Sequence, residues 1–406
     1  MVNLFLRVFT NIKPYLSPPS YPSSAMYHLH FTQSVEVLQG AGLGQAALSL
    51  HNSLLKNEDC ESLLFTTCNK NYTSLYDNVL IGKRLGPEKL FYSPELYSLS
   101  KNYIKQADIF HGHGLYVYTN FLFGSLARKN KKPLVYHPHG FFDPWILKRS
   151  RKKKLLVDYL FERKNIQYVK WWRALTTKEA DQIRNHVSSS SSIHVVPNGI
   201  DISEIDSAID CLRTCPDTSF TNIEKKRPLR LLFLSRLHPK KGLDLLISVW
   251  ADITSLFPDW ELVIVGPDEA GYKSVLDKLI IDLCSQESCR ILPPTSGLEK
   301  QYHYQLADVF VLPSYSEGFP MAVLEAAAHS LPIIHSTECN FPELANSGGG
   351  IEFSPRFRQL KSAMIQMLEL NVSDRIQIGS NARILVERNY TWPIVAKKIN
   401  SLCAFT

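Results

Sequence analysis

The sequence predicts an α/β protein with two domains, each built on a parallel sheet. The chain has 406 residues, more than one hydrophobic core usually organises, and 45% of them are hydrophobic. In Ala307–Glu343, two short apolar runs, Val309–Leu312 and Leu331–Ile334, flank the apolar helical pattern Met321–Ala328. In Leu229–Trp250, a buried-strand run precedes apolar residues at helical spacing. This strand–helix–strand order is typical of parallel sheets.

The amino-terminal half shows the same plan more weakly. Tyr27–Phe31 predicts a first strand, and Gln39–Gln45 (QGAGLGQ) predicts a Gly-rich turn before an apolar helix at Ala46–Leu55. These glycines do not fit G-x-G-x-x-G, which argues against a dinucleotide site. Two further strand ends are predicted, at Asp108–His113 and Pro133–Asp143.

The chain divides at a turn signal. Pro197-Asn198-Gly199 follows the end of a predicted strand, so the first domain is expected to end near there. We predict a flexible extension over 1–25, a first domain over 26–200, a polar linker over 201–228 and a second domain over 229–390.

The loop between Leu312 and the following helix carries the functional signal. It lies at the carboxyl end of a parallel strand, where open α/β sheets bind ligands. Free amides at Phe319–Ala322 favour a phosphate, and Glu317 and Glu325 beside them can accept hydrogen bonds from hydroxyls. Arg236 and Lys241 follow another strand and supply the cations that a departing diphosphate needs. Together these groups predict a nucleotide-sugar site.

Two segments carry a resemblance to a known family. LPSYSEGFPMAVLEAAA, which contains Glu317 and Glu325, resembles the donor-site signature of retaining family 4 glycosyltransferases. HPHGFFDPWILKRSRKKK resembles the PHG-x-x-DPW-x-LKRSR block of a polysaccharide-biosynthesis subgroup. The resemblance implies the GT-B fold, with two Rossmann-like domains facing each other across a cleft. It also implies retaining transfer of a sugar from a nucleotide-sugar donor to a hydroxyl of a glycan or lipid-linked acceptor, in surface polysaccharide assembly.

The same resemblance implies roles for particular residues. Glu325 would accept hydrogen bonds from the donor ribose, and Glu317 would orient the donor sugar. Arg236 and Lys241 would hold the leaving diphosphate without a metal ion or other cofactor. The sugar and phosphate would also contact a stretch of backbone formed by Gly318, Phe319, Pro320 and Met321.

Three further expectations rest on the resemblance. His139 would hydrogen-bond a donor hydroxyl and support the developing positive charge. Gly42, in the expected Gly-rich turn, would face the donor phosphates across the cleft, and Gly266 would lie near the base. The last helix, within 391–406, would return to the first domain.

Other classes of protein stay open. His111, His113, His137 and His139 form two H-x-H pairs, as ligands of a metal-dependent hydrolase could. No third cluster is expected at a comparable strand end, and a hydrolase leaves the Arg, Lys and Glu residues without a role. A sugar-nucleotide epimerase on the same fold and a non-catalytic partner subunit also stay open.

Charge and cysteines bear on partners and location. The net charge is +7, and the run Lys148–Lys154 (KRSRKKK) could contact an anionic membrane. No aromatic residues alternate with these cations, which argues against nucleic acid. The eight cysteines lack a C-x-x-C pair, which predicts reduced thiols and a cytoplasmic protein. Such a protein could bind peripherally at the inner face of the membrane through its basic run.

Overall fold

The structure is a computed structural model that describes residues 25–35, 37–69, 78–86, 90–144, 147, 162–187, 191–214, 227–269, 271–283 and 285–406. Two fully parallel sheets, of seven and six strands, form two Rossmann-like α/β domains, which confirms the predicted fold class. The basic run Lys148–Lys154 and the predicted extension, apart from its last residue, lie outside the described residues.

The first sheet has the strand order β3-β2-β1-β4-β5-β6-β7. Its strands are β1 Met26–Phe31, β2 Cys60–Cys68, β3 Val79–Lys83, β4 Ile109–His113, β5 Leu134–His137, β6 Trp171–Ala174 and β7 Ser192–Val195. One face is apolar and includes Leu29, Phe110 and Tyr136. The other face, which α1 and the last helix cover, includes buried histidines from β1, β4 and β5.

The second sheet has the order β10-β9-β8-β11-β12-β13. Its strands are β8 Leu229–Leu234, β9 Trp260–Val265, β10 Cys289–Leu292, β11 Val309–Leu312, β12 Ile333–Ser336 and β13 Gly350–Phe353. The central strands are nearly continuous apolar runs because helices cover both faces of the sheet.

Helices connect the strands of both sheets. In chain order they are α1 Val37–Leu55, α2 Glu95–Ser100, α3 Tyr118–Lys129, α4 Arg163–Tyr168, α5 Thr177–His186, α6 Ile202–Thr214, α7 Leu243–Ile253, α8 Tyr272–Asp282, α9 Gly297–Gln305, α10 Met321–Ala328, α11 Pro342–Asn346, α12 Phe357–Leu368, α13 Val372–Asn389 and α14 Trp392–Ala404. Within the described part of the chain, none of them has the length and apolar character needed to cross a bilayer.

The predicted Gly-rich turn is wrong, because α1 begins at Val37 and contains all three of its glycines. Gly44 has a packing role there: a Cβ at this position would lie 1.9 Å from the Ser34 carbonyl oxygen. Gly42 is exposed, with nothing within 4 Å of an added Cβ. Gly44 therefore lets the helix pack closely against the residues that follow β1.

The chain crosses between the domains twice, and the two crossings lie side by side. Ile200 N donates to Tyr390 O (2.8 Å), and Trp392 N donates to Ile200 O (3.2 Å). After the first crossing, α6 packs on the second domain through Ile205. After the second, α14 packs against α1 of the first domain, with Val395 in their shared cluster.

Candidate active site

A cleft of about 670 Å³ lies between the carboxyl ends of the two sheets. Most of its lining side chains are charged or polar, as a site for a nucleotide sugar requires. The first domain contributes His139, Gly140, Asp143, Thr176, Lys178, Glu179 and Gln182. The second contributes Arg236, His238, Lys240, Lys241, Glu269, Ser316, Glu317, Gly318 and Asn340.

Five of the sequence-predicted site residues line this one cleft: His139, Arg236, Lys241, Glu317 and Gly318. The other six are not among its lining residues: Gly42, Gly266, Phe319, Pro320, Met321 and Glu325. The cleft therefore gathers the catalytic candidates and one donor-binding glycine, while the remaining donor-binding candidates lie around it or, for Gly42, in α1.

Two loops of the second domain are held together at the cleft floor. Lys241 Nζ lies 2.5 Å from Glu317 Oε1, which also accepts from Ser314 Oγ (2.6 Å). Both members of the ion pair are only 11% exposed. Gly242 has φ +67°, and a Cβ there would lie 2.2 Å from the Pro313 carbonyl oxygen. Only glycine allows the two loops this close approach.

Arg236 lies in the same loop as Lys241 and contacts the loop that follows β9. Its Nη1 donates to Glu269 Oε1 over 2.5 Å, and its side chain is 60% exposed. Gly266, which directly follows β9, has no room for a side chain, because a Cβ would lie 1.8 Å from Ser235 O. Gly266 therefore permits the close packing of two strand ends, whatever it contributes to a ligand.

Glu325 lies on α10 between two residues of α9. Its Oε1 accepts from Lys300 Nζ and its Oε2 from Tyr304 Oη, both over 2.9 Å. The carboxylate is 24% exposed, so solvent and a ligand can still reach it. Burial, followed by the Glu325 charge, raises the pKa of Tyr304 well above its usual value, so its hydroxyl stays a donor.

The backbone before α10 offers donors to the cleft. Met321 N donates to Phe319 O (3.0 Å), whereas the amides of Gly318 and Phe319 make no backbone hydrogen bond within the described residues. Pro320 is buried and precedes the helix. The Phe319 ring packs against Phe341 at a centroid distance of 5.9 Å, so its side chain anchors the loop.

His139 and Gly140 form the facing wall. His139 follows β5 with φ +53°, and Gly140 has φ +83°. Gly140 N donates to Glu179 Oε1 (2.6 Å), and Leu175 N donates to Glu179 Oε2 (2.7 Å). A Cβ on Gly140 would lie 4.0 Å from the Gly318 Cα, so two glycines face each other across the cleft.

Sequence reasoning missed Glu179, which is 2% exposed and holds the His139–Gly140 turn through backbone amides. Burial raises its pKa, and the two amide hydrogen bonds oppose that shift. The T-x-x-E spacing of Thr176 and Glu179 is a helix-capping signal that the sequence shows. The Glu179 side chain also reaches Gly140, 39 residues away in sequence, and no local pattern reveals that contact.

Sequence reasoning also missed Lys178, which joins the two walls of the cleft, and Asn340, which supports one of them. Lys178 Nζ donates to Glu338 Oε2 over 2.6 Å, from the first domain to the second. Asn340 Nδ2 donates to Glu317 O (2.8 Å) and to Glu338 O (3.1 Å), which supports the Glu317 loop. Ser316 Oγ also contacts Asp143 Oδ2 across the cleft, at 3.3 Å.

Two hydrogen-bonded rows of histidines run across the first sheet, and all of their members are buried except His139, which is half-buried. The first, here called row A, joins His28, His111 and His137 through ring nitrogens 3.0 Å apart. The second, row B, joins His30, His113 and His139 at 3.0 and 3.1 Å. The four histidines of the two H-x-H pairs do share one face of the sheet. The expectation of no third cluster was wrong, because His28 and His30 on β1 form a third pair.

Burial keeps these rings neutral. It lowers the pKa of His28 to about 4 and that of His139 to about 3. For His30, His111, His113 and His137, burial and then the neighbouring histidines and Arg173, which disfavour a further positive charge, hold the pKa well below 6.5. Neutral imidazole has one donor and one acceptor nitrogen, so each row is a chain of single hydrogen bonds.

Among the described residues, His28, His111 and Cys403 are close enough to share a metal ion, with ligand atoms within 4.8 Å of one another. The two ring nitrogens involved are 3.0 Å apart, a hydrogen-bond distance, and Cys403 Sγ lies 3.9 Å from His111 Nε2. The hydrogen bond of row A explains why the two histidines are so close. All three residues lie on the side of the first sheet that α14 covers.

Comparison with known proteins agrees with the fold. The family model for glycosyl transferases group 1 matches residues 216–384, and the model for glycosyltransferase family 4 matches residues 42–204. The first match covers the Arg236, Lys241, Glu317 and Glu325 loops, and the second covers His139.

Curated relatives have related names. An uncharacterized glycosyltransferase of Haemophilus influenzae is 33% identical over 29% of this chain and 32% of its own length. A GDP-mannose-dependent phosphatidylinositol monomannoside mannosyltransferase of Corynebacterium glutamicum is 27% identical over 41% of this chain and 45% of its own length. A GDP-mannose:cellobiosyl-diphosphopolyprenol alpha-mannosyltransferase of Xanthomonas campestris is 25% identical, over 71% of this chain and 72% of its own. The alignments thus span less than half of the first two relatives.

Solved structures share the fold over nearly the whole chain. HepE of Anabaena, in complex with UDP and glucose, superimposes with a TM-score of 0.72 and 17% identity, covering 94% of this chain and all of that one. WaaG, a glycosyltransferase involved in lipopolysaccharide biosynthesis, gives 0.63 and 16%, covering 92% and 98%. The chain therefore has the GT-B fold. Each of the two family models matches less than half of the chain, one in each domain.

Proposed function

We propose that the protein transfers a sugar from a nucleoside-diphosphate donor to a hydroxyl of a glycan or lipid-linked acceptor, with retention at the anomeric carbon. The observation that carries the proposal is the convergence of Arg236, Lys241, Glu317 and His139 in one cleft. The relatives named as mannosyltransferases and the UDP-bound HepE support a donor of this class.

Each group has a task in this reaction. As the glycosidic bond to the diphosphate breaks, negative charge grows on the leaving oxygen, and Arg236 and Lys241 can neutralise it. The free amides at Gly318 and Phe319 can contact the sugar or phosphate. Glu317 would orient the donor sugar, Glu325 would accept from the ribose, and His139 would contact a donor hydroxyl. With two cations in place, we propose that no divalent metal is needed.

The first test asks whether there is a donor and an acceptor. Uridine and guanosine diphosphate sugars are screened by thermal shift, since a ligand that binds only the native state raises its melting temperature. Release of nucleoside diphosphate is then followed with polyprenol-linked and free glycan acceptors. An epimerase on this fold would change the nucleotide sugar without any acceptor. That outcome, or no donor binding at all, would overturn the proposal.

The second test concerns the cations. Lys241→Met should weaken nucleoside diphosphate binding at least ten-fold, the factor expected when a charged hydrogen-bond donor is lost. Lys273→Met serves as the matched control, because Lys273 pairs with Asp277 on the exposed face of α8. Transfer should continue in excess EDTA. Abolition by the chelator and recovery with manganese would contradict the metal-free role of Arg236 and Lys241.

We propose a role in surface polysaccharide assembly, which the names of two relatives support, and a location at the inner face of the membrane. In that setting Lys148–Lys154 would contact anionic lipid. Neutralising Arg151, Lys152 and Lys153 should release the protein from anionic vesicles. Neutralising Lys129, Lys131 and Lys132 to glutamine is the control of equal charge. Equal sedimentation of both variants and the parent would reject the contact.

A further inference from the structure

Row A has a direction that its two ends determine. At one end, Arg173 Nη1 lies 3.4 Å from His137 Nδ1, and a guanidinium can only donate. His137 Nδ1 must therefore accept, and each ring along the row then donates from Nε2. At the other end, His28 Nε2 donates to Asn400 Oδ1 over 3.1 Å, which matches that direction. Every proton in row A thus points from β5 towards β1.

Row B stacks on row A ring against ring. His30 lies over His111 with centroids 4.4 Å apart and planes 9° from parallel, and His113 lies over His137 at 4.5 Å and 15°. Stacked imidazole dipoles repel when they point the same way and attract when they oppose each other. Row B is therefore expected to donate in the opposite direction, from β1 towards β5.

The open end of row B supports the same direction. His30 Nε2 is buried and has no hydrogen-bond partner among the described residues. Protons that run towards β5 leave a lone pair at this atom, whereas the reverse leaves a buried N–H, which proteins avoid more strictly. His30 Nδ1 then donates to His113, and His113 Nδ1 donates to His139 Nε2. The one proton on the His139 ring is left on Nδ1.

We propose that His113 and His30 are positioning residues that hold His139 as the Nδ1–H tautomer, with that N–H available to a ligand in the cleft. Nε2 of His139 is occupied by His113 at 3.1 Å, and Nδ1 has no partner among the described residues. His139 lines the cleft. Its ligand, if the proposed function holds, is a hydroxyl oxygen of the donor sugar, which accepts from Nδ1–H.

The test is a measurement of the tautomer in the whole protein. Nitrogen-15 NMR of the histidine side chains separates protonated from unprotonated ring nitrogens, and His139→Phe assigns the His139 signals. We expect a protonated Nδ1 in the parent and averaged nitrogen signals in His113→Phe. His335→Phe is the control: it removes a buried histidine of the second sheet that belongs to neither row.

A conservative variant separates tautomer control from packing. In His113→Asn, the side-chain amide nitrogen can occupy the Nδ1 position and still donate to His139, so the Nδ1–H pattern should be kept. If His113→Phe fails to fold, His30→Phe breaks the same row one ring further back. A parent with Nε2–H at His139, or an unchanged pattern in the variant that breaks the row, would overturn the proposal.

Transfer activity is a second readout, and it can give a negative result independently of the NMR measurement. His113→Phe should lower kcat for transfer about ten-fold, the worth of one hydrogen bond, and leave the Kd for nucleoside diphosphate unchanged. His113→Asn should recover most of the rate, and His335→Phe should stay within two-fold of the parent. If the parent shows no transfer, the proposed function fails while the NMR result still decides the tautomer.

Discussion

Both cations expected to meet the donor have a carboxylate partner in this structure, since Lys241 pairs with Glu317 and Arg236 with Glu269. Glu325, expected at the ribose, pairs with Lys300. A bound diphosphate would therefore exchange one set of ion pairs for another. The exposed Arg236 pair contributes little and is easily exchanged, whereas the largely buried Lys241–Glu317 pair is the costly one to separate.

Glu325→Gln tests the ribose contact at this scale. The substitution keeps the size and loses the charged acceptor, so nucleoside diphosphate binding should weaken by about 1.5–3 kcal/mol. Tyr304→Phe is the control, because it removes a donor to Oε2 and leaves the carboxylate for the ribose. Calorimetry measures both. Equal affinity of folded Glu325→Gln and the parent would remove Glu325 from the donor site.

At the scale of elements, apolar runs in fully buried parallel strands were the reliable signal. The strand Val309–Leu312 and the helix Met321–Ala328 have the bounds that the sequence predicts. The pattern failed at Gln39–Gln45, because three glycines indicate a turn when only local propensity is considered. Packing of α1 on the sheet outweighs that propensity, and Gly44 is needed for its approach to Ser34.

The candidate site was predictable only where its residues follow strands. Arg236, Lys241 and Glu317 come directly after β8 and β11, so a parallel sheet had to bring them together. Glu179 could not be predicted in this way, because it lies at the cleft through a hydrogen bond to Gly140, which is distant in sequence. His28 and His30 repeat the H-x-H spacing seen on β4 and β5, and a search for that spacing alone would have found them.

Gly242 and Gly271 allow a controlled test of loop packing. Both have positive φ, at +67° and +77°, and both precede a helix. An added Cβ meets the Pro313 carbonyl oxygen at 2.2 Å in Gly242→Ala and nothing within 4 Å in Gly271→Ala. Gly271→Ala should lower the free energy of unfolding by about 1–2 kcal/mol, the cost of left-handed backbone.

Gly242→Ala should lower the free energy of unfolding by clearly more than Gly271→Ala does, because the clash with Pro313 forces the Lys241 and Glu317 loops apart. Denaturant unfolding measures both values, and nucleotide binding should fall only in Gly242→Ala. Equal losses of stability in the two variants would show that the loops are not held together as the structure has them.

For the whole molecule, the six row histidines make stability depend on pH. Burial lowers the pKa of His28 to about 4 and of His139 to about 3, against 6.5 when unfolded. The unfolded chain thus binds more protons between these values, so the free energy of unfolding falls as pH drops below 6.5. Each such histidine contributes up to about 1.4 kcal/mol per pH unit.

Denaturant titrations at pH 7, 6 and 5 measure this slope. His111→Phe should reduce it by about one proton, because it removes one buried neutral ring from the row. A free energy of unfolding that is constant from pH 7 to pH 5 would mean that the buried rings are already protonated or are accessible to water.

The paired crossings at Ile200 and Tyr390–Trp392 restrict how the two domains can move. Because the segments are hydrogen-bonded to each other, neither can twist without the other, and Gly199 leaves no space between them: a Cβ there would lie 2.6 Å from Trp392 N. Because both connecting segments lie at one place, we expect the two domains to move mainly by rotation about a single axis. Opening of the cleft can then be described by one angle, and the Lys178–Glu338 contact, which joins the two domains, would report on it.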